Sequence, residues 1–322
     1  MRRRSLVAAT AALPVLGHPA LGQGSYPDRP VRIIVPFPPA GAADVLARII
    51  SGRLGERLGQ PVVVENRGGS NGQIGAEAAA RSRPDGYTLL LGQDTMFTAN
   101  PWLYERPAVN VATELMPVAS LVANQLVLAV NPRQPARNLA EFVELARRAD
   151  PPLAYASLGT GSQHQFAMEM LMRRAGITLL HVPFRGGAPA ATATVAGDTA
   201  ALFAGASSLP LIREGQLRGL AVTGRRRAAN FPELPTVAET YPGYELTIWL
   251  GLFAPAGVPT PVVERLRDAA NAVLGEPEIR ARLETGGGLE PLVTTQAEFA
   301  ALIQADYEKY GALIRDIGIR VE

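Results

Sequence analysis

The sequence predicts an α/β protein made of two mostly parallel sheets, each flanked by helices, with a cleft between them. Three observations predict it. Strand and helix patterns alternate from Tyr26 onward, the alternation restarts near Leu126, and a last strand near Leu246 leads into three C-terminal helices. Such alternation is the pattern of open sheets covered on both faces. At 322 residues, 47% of them hydrophobic, the chain is long enough for two such units.

The elements follow in order. Arg2, Arg3 and Arg4 precede an apolar run, Leu6 to Leu16, then small residues before Gln23-Gly24, the layout of a secretory signal peptide over 1–24. Arg3-Arg4-Ser5-Leu6-Val7 also has twin-arginine character. Val31 to Phe37 reads as a buried strand, followed by a helix from about Asp44 to Leu58. A strand at Pro61–Glu65, a helix at Asn71–Arg81 and a strand in "DGYTLLLG" complete the first run. The second run has strands at Leu126–Val130, Leu153–Ser157, Thr178–Pro183, Ala200–Phe203 and Leu217–Val222. Its helices are expected at Leu139–Arg148, Ser162–Ala175 and the small-residue stretch "GGAPAATATVAG". The expected division is 25–123 with 248–322 as one domain and 124–247 as the other. The C-terminal helices, with Val262, Leu266, Phe299, Leu302 and Ile303 on apolar stripes, are expected to cover the first sheet.

Composition narrows the function. Without Arg2, Arg3 and Arg4, the 31 basic residues fall to 28 against 29 acidic ones, so nothing points to nucleic acid. Cysteine is absent, which excludes thiol chemistry and disulfides. A phosphate-binding lysine loop fails because the one lysine is Lys309, far from any glycine loop. No cofactor and no metal are expected, since His164 and His181 have no ligand spacing. Gly68-Gly69-Ser70-Asn71-Gly72 fits G-x-S-x-G, making a hydrolase at Ser70 an alternative with His164 or His181 as base.

Ligands of open α/β sheets sit beyond the carboxyl ends of the strands. Two loop-to-helix junctions stand out there, Gly41–Asp44 and Gly161–His164. Their main-chain N–H groups and helix dipoles make anion sites without a cationic side chain. The expected role is a binding site for a small carboxylate, with no turnover. Candidate residues on the first side are Phe37, Pro39, Ala40, Gly41, Ala42 and Ala43, with Asp94 and Thr95 after the third strand. On the second side they are Thr160, Gly161, Ser162, Gln163 and His164, then Arg185, Gly186 and Ala204.

Blocks along the whole mature chain carry a family resemblance. They include "YPDRPVRIIVPFPPAGAAD", "LGQPVVVENRGGSNGQIGAEAAA", "PDGYTLLLG", "GSQHQFAMEML", "HVPFRGGAPA", "PELPTVAE" and "WLGLFAPAGVP". From Tyr26 to Glu322 the chain resembles the Bug family, the TctC-type periplasmic solute receptors of tripartite tricarboxylate transporters. The resemblance implies a two-domain periplasmic-binding-protein (Venus flytrap) fold. It also implies delivery of a carboxylate to a membrane permease pair by a monomer; signalling to a membrane sensor is the alternative. Three departures are visible. Ala40-Gly41-Ala42-Ala43 lacks the usual hydroxyls, "GQDTMF" introduces Asp94, and "LFAGASS" has Ala204 at a usually acidic position. Asp94 is expected to disfavour ligands with a second carboxylate, because two unpaired carboxylates in a partly dry cleft repel strongly.

Overall fold

Four of the five residues of Val31–Val35 (β1) have no exposed surface, so this strand needs cover on both faces. The computed structural model describes residues 26–39 and 41–320, so the expected signal peptide and Ala40 lie outside the described residues. The further strands are Val62–Asn66 (β2), Thr88–Gln93 (β3), Leu115–Asn124 (β4), Val127–Val130 (β5), Ala154–Ser157 (β6), Leu180–Pro183 (β7), Ala201–Ala204 (β8), Arg218–Val222 (β9), Ile248–Pro255 (β10) and Glu290–Pro291 (β11). They form a six-stranded sheet, order β11-β4-β10-β3-β1-β2, and a five-stranded sheet, order β7-β6-β8-β5-β9. The first sheet thus draws on residues 31–124 and 248–291, and the second on 127–222.

Both sheets are mixed, where mostly parallel ones were expected. β1 pairs parallel with β2 and β3, but β10 runs antiparallel to β3 and β4, and β11 to β4. In the second sheet β6 is parallel to β7 and β8, whereas β5 is antiparallel to β8 and β9. The cause is the route of the chain. A strand that carries the chain out of one sheet and a strand that brings it back must point in opposite directions. β4 and β10 are those strands, and β4 escaped the sequence pattern because Pro117 interrupts it. Pro117 faces Phe253 at an irregularity of the ladder, where a missing N–H is tolerated. Beyond the ladder, Thr223 ties the two crossings together: its amide donates to Leu126 O (3.0 Å) and its carbonyl accepts from Leu246 N (2.9 Å).

Each sheet has two apolar faces. Leu46, Ile50 and Leu54 of the helix Ala42–Leu58 pack with Leu266, Leu274 and Leu283 on one face of the first sheet. The opposite face is aromatic, with Phe97 stacked on Phe253 at 3.8 Å between centroids and Phe299 edge-on to Trp249. The last helix, Gln296–Ile317, does more than cover the first sheet. Its Phe299 belongs there, but Tyr310 and Ile314 enter the core of the second half beside Phe166 and Leu171. One helix thereby buries residues in both halves.

The aromatic face is tightly filled, so Phe253→Ala is expected to lower stability by about 3–5 kcal/mol. Urea denaturation of the two proteins measures the difference.

Candidate functional site

The first-half side of the site is built on the ends of β1 and β2. Chain leaving β1 runs through buried Pro36 and half-buried Phe37 to exposed Pro38 and Pro39. Asn66, the last residue of β2, holds this loop: its Nδ2 donates to Phe37 O (3.2 Å) and to Asp44 Oδ1 (3.0 Å). Arg48 Nε pairs with the same carboxylate at 3.0 Å. Behind the loop, Gly75 is needed for contact, since a Cβ there would meet Pro36 Cβ at 2.6 Å. The helix begins at Ala42, two residues earlier than the pattern suggested, with Gly41 in extended backbone as its N-cap. Asp44 is therefore a first-turn residue fixed by Arg48 and Asn66. Gly41 has no side chain to cap with, so the helix start presents main chain at Gly41 and Ala42, both exposed, with Ala43 buried beneath.

The second-half side is the start of the helix Gln163–Ala175. Ser162 is its N-cap; the hydroxyl accepts from Gln165 N and donates to Gly159 O at 2.6 Å. That hydroxyl is spent on local structure, although it was a candidate ligand contact. Gly161 N donates to Gln165 Oε1 (2.8 Å), so the loop is pinned from both directions. Gly161 has φ of 78°, and a Cβ there would meet Leu103 Cδ1 at 2.7 Å. Only glycine meets both demands. Thr160 is exposed at the tip of this loop. Arg185 is exposed, and Gly186 is the N-cap of the helix Gly187–Ala196.

Two candidates stand elsewhere than expected. Ala204 is the last residue of β8, pairs with Val127, and is buried in the core with Ala156 and Ala190. Gly205 is the residue that comes out of that core: a Cβ on it would lie 3.0 Å from His164 Nε2. Sequence reading missed Gly205 because Ala204 was matched to a usually acidic position of the family, and that match does not show which residue leaves the core. Asp94 also differs from expectation. It opens a short helix, Asp94–Thr98, has no exposed surface, and accepts from Gln163 Nε2 across the seam. Thr95 is buried beside it. Burial, reinforced by the Asp306 carboxylate, pushes the Asp94 carboxyl well above the usual carboxylate range. An acid with no exposed surface that is bonded to Gln163 is enclosed by the protein, so the selectivity expected from Asp94 loses its premise.

These contacts bring the two sides together. β1 and β3 are adjacent parallel strands, so the loops leaving their carboxyl ends lie side by side. The loop after β3 meets the 163–175 helix start through Gln163, whose Oε1 also accepts from Gln93 Nε2 at 3.3 Å. Next to this junction is His164, buried, with no partner for either ring nitrogen among the described residues. Burial pushes its pKa down to about 4, so it is a neutral imidazole with one donor and one acceptor to offer.

Ser70 heads a short turn at φ of 47° and is exposed. Neither histidine reaches it: His164 packs on Gly205, and His181 Nε2 lies 2.6 Å from Ser157 Oγ. Ser157 has no exposed surface and is also engaged with the Gly159 main chain. Among the described residues no group of three or more His, Asp or Glu side chains is placed to hold a metal ion. No described helix is long and apolar enough to cross a membrane.

Residues 46–319 match the family model described as tripartite tricarboxylate transporter family receptor. The protein is a member of that receptor family. BugT of Bordetella pertussis is 33% identical over 304 residues, covering 92% of each chain. R. palustris Rpa4515, solved with adipate, superposes with a TM-score of 0.81 at 30% identity, over 92% of this chain and 99% of its own. The periplasmic binding protein BugD gives a TM-score of 0.77 at 30% identity, over 92% and 100%. This tripartite tricarboxylate receptor thus shares the fold of periplasmic binding proteins, and its family and these neighbours are solute receptors.

The neutral His164 carries a pH prediction. Its value of about 4 lies below the ordinary 6.5, so the unfolded chain takes up the proton first. Stability from this group is complete above about pH 6.5 and falls as pH drops toward 4, by about 3 kcal/mol at most. His181 is also pushed down by burial and adds to the same limb. Urea midpoints at pH 7 and pH 4.5 are expected to differ less in His164→Asn than in wild type.

Proposed function

We propose that this receptor captures a small carboxylate between the helix starts at Gly41–Ala43 and Gly161–His164, in the periplasm, and hands it to a membrane permease pair. The lobes that close on it are 25–123 with 248–322 and 124–247. The observation that carries the reading is His164, a buried imidazole without a partner among the described residues, standing at a helix start beside Gly205. A buried polar group without a partner costs about 1–3 kcal/mol, and a ligand oxygen or N–H at that place removes the cost.

The supporting chemistry is main-chain. A helix start offers amides and the positive end of the dipole to an anion. Ser162 spends its hydroxyl on Gln165 N and caps neither the Gln163 nor the His164 amide. Gly41 leaves the first amides of the other helix without a side-chain cap. The adipate bound by Rpa4515 belongs to the same ligand class. The signal-peptide layout of the sequence over 1–24 and the family's periplasmic members, such as BugD, support the compartment. The family's description as a transporter receptor supports the permease pair.

Thermal-shift titration of the mature protein with adipate and related mono- and dicarboxylates tests the reading. A ligand at a hundredfold excess over Kd is expected to add about 2.7 kcal/mol, and to be recovered unchanged. No shift with any carboxylate would remove it. Ala42→Pro is the sharper probe, because the first helical position tolerates proline and Gly41 already has the extended backbone that precedes one. It deletes one donor with little strain, so carboxylate affinity is expected to fall about tenfold while the ligand-free melting temperature stays nearly unchanged. Ser70→Ala is expected to leave affinity intact.

A further inference from the structure

The start of the 163–175 helix is fastened to the first half by an uncharged side chain. Gln163 is buried and donates through Nε2 to Asp94 Oδ1, while its Oε1 accepts from Gln93 Nε2 at 3.3 Å. Both partners sit where β3 passes into the Asp94–Thr98 helix, and Gln163 is the first residue of its own helix. We propose that Gln163 is the positioning residue of the ligand site, docking the second-half helix start on the end of β3 through both ends of its amide. The purpose of the docking rests on the carboxylate reading above; its geometry does not.

An amide suits this place because it carries a donor and an acceptor on one planar head. An ammonium at 163, or a carboxylate beside an ionised Asp94, could satisfy only one of the two partners. Leu103 against Gly161 supplies the apolar contact next to it, so at this point the seam combines packing with the Gln163 amide. The groups around Asp94 explain why it can serve as an acceptor in so dry a place. From the helix Gln296–Ile317, the Asp306 carboxylate pushes its pKa up and Lys309 pulls it down; the Thr95 amide and Gln163 also pull it down, and burial outweighs them. Asp306 is itself held by Trp249 Nε1 at 2.8 Å and Lys309 Nζ at 2.7 Å, and Lys309 reaches Glu245 at 3.3 Å. Tyr310 faces the same cluster, with its hydroxyl and Asp94 Oδ2 both lacking a partner among the described residues. Gln163 and Gln93 carry no charge, so the docking does not rest on an ion pair and is expected to be insensitive to salt.

The chain has no cysteine, so single cysteines at exposed Glu56 and Thr192, one in each half, accept spin labels without background. Electron–electron dipolar spectroscopy then reads the separation of the halves in ligand-free protein. Gln163→Leu is expected to lengthen and broaden the distance distribution, and Gln93→Leu to do so in part. Asp94→Asn keeps an acceptor and is expected to leave the distribution as in wild type, whereas Asp94→Leu lengthens it. Gln163→Glu introduces a second acid beside Asp94. Its halves are expected to stay docked near pH 5, where the pair shares a proton, and to separate near pH 8.

An unchanged distribution in Gln163→Leu overturns the proposal, as does an Asp94→Asn variant as open as Asp94→Leu. Should Gln163→Leu fail to fold by circular dichroism, an unchanged Gln93→Leu distribution overturns the proposal in its place. Calorimetry with adipate is expected to give about tenfold weaker binding to Gln163→Leu. Wild type that binds no adipate would count against the carboxylate reading alone, because the distances are measured without ligand.

Discussion

The antiparallel pairing of β4 with β10 is the contact on which the rest of this structure depends. It takes the chain out of the first sheet and returns it, and eight ladder positions between Leu115–Pro255 and Asn124–Ile248 hold the two passages side by side. The pairing makes the first sheet mixed, because β10 runs antiparallel to both of its neighbours. It also places β3 next to β10, so that the carboxyl end of β3 lies by the point where the chain crosses. The seam residues Gln93 and Asp94 stand there for that reason. The helix Gln296–Ile317 reinforces the arrangement by placing Phe299 in one core and Tyr310 in the other.

Around this frame the site is assembled with very little charge. Its two helix starts present main chain, its histidine is neutral, and Asp94 is buried, with burial pushing its carboxyl well above the usual carboxylate range. The polar groups nearby are committed with care: Asn66 to the first loop, Ser162 and Gln165 to the second, Gln163 to the seam. What is left uncommitted is His164. The fold around it is shared with Rpa4515 and BugD over nearly their full length.

Much of this was legible in the residues. The loop-to-helix junctions near Gly41 and Gly161, to within two residues, and most strands of both sheets follow from local pattern. β4 was not legible, because Pro117 breaks an alternation that the bulged ladder absorbs. Nor was the double duty of the last helix. Its Phe299, Leu302 and Ile303 read as one stripe, and nothing in the period says that Tyr310 seven residues later enters a different core.

The sequence by itself determined where helices can begin and which chemistry is excluded, because caps, prolines, glycines and a lone lysine act on their own neighbours in the chain. Only the tertiary structure decided what the polar residues do. Asp94 lost its expected place opposite a ligand and became the acceptor of Gln163, 69 residues away. Ala204 turned into the core and left Gly205 beside His164, 41 residues away. The physical reason is that burial and the charge state it imposes are sums over everything packed around a group. Those neighbours come from the other half of the molecule, and no local period records them.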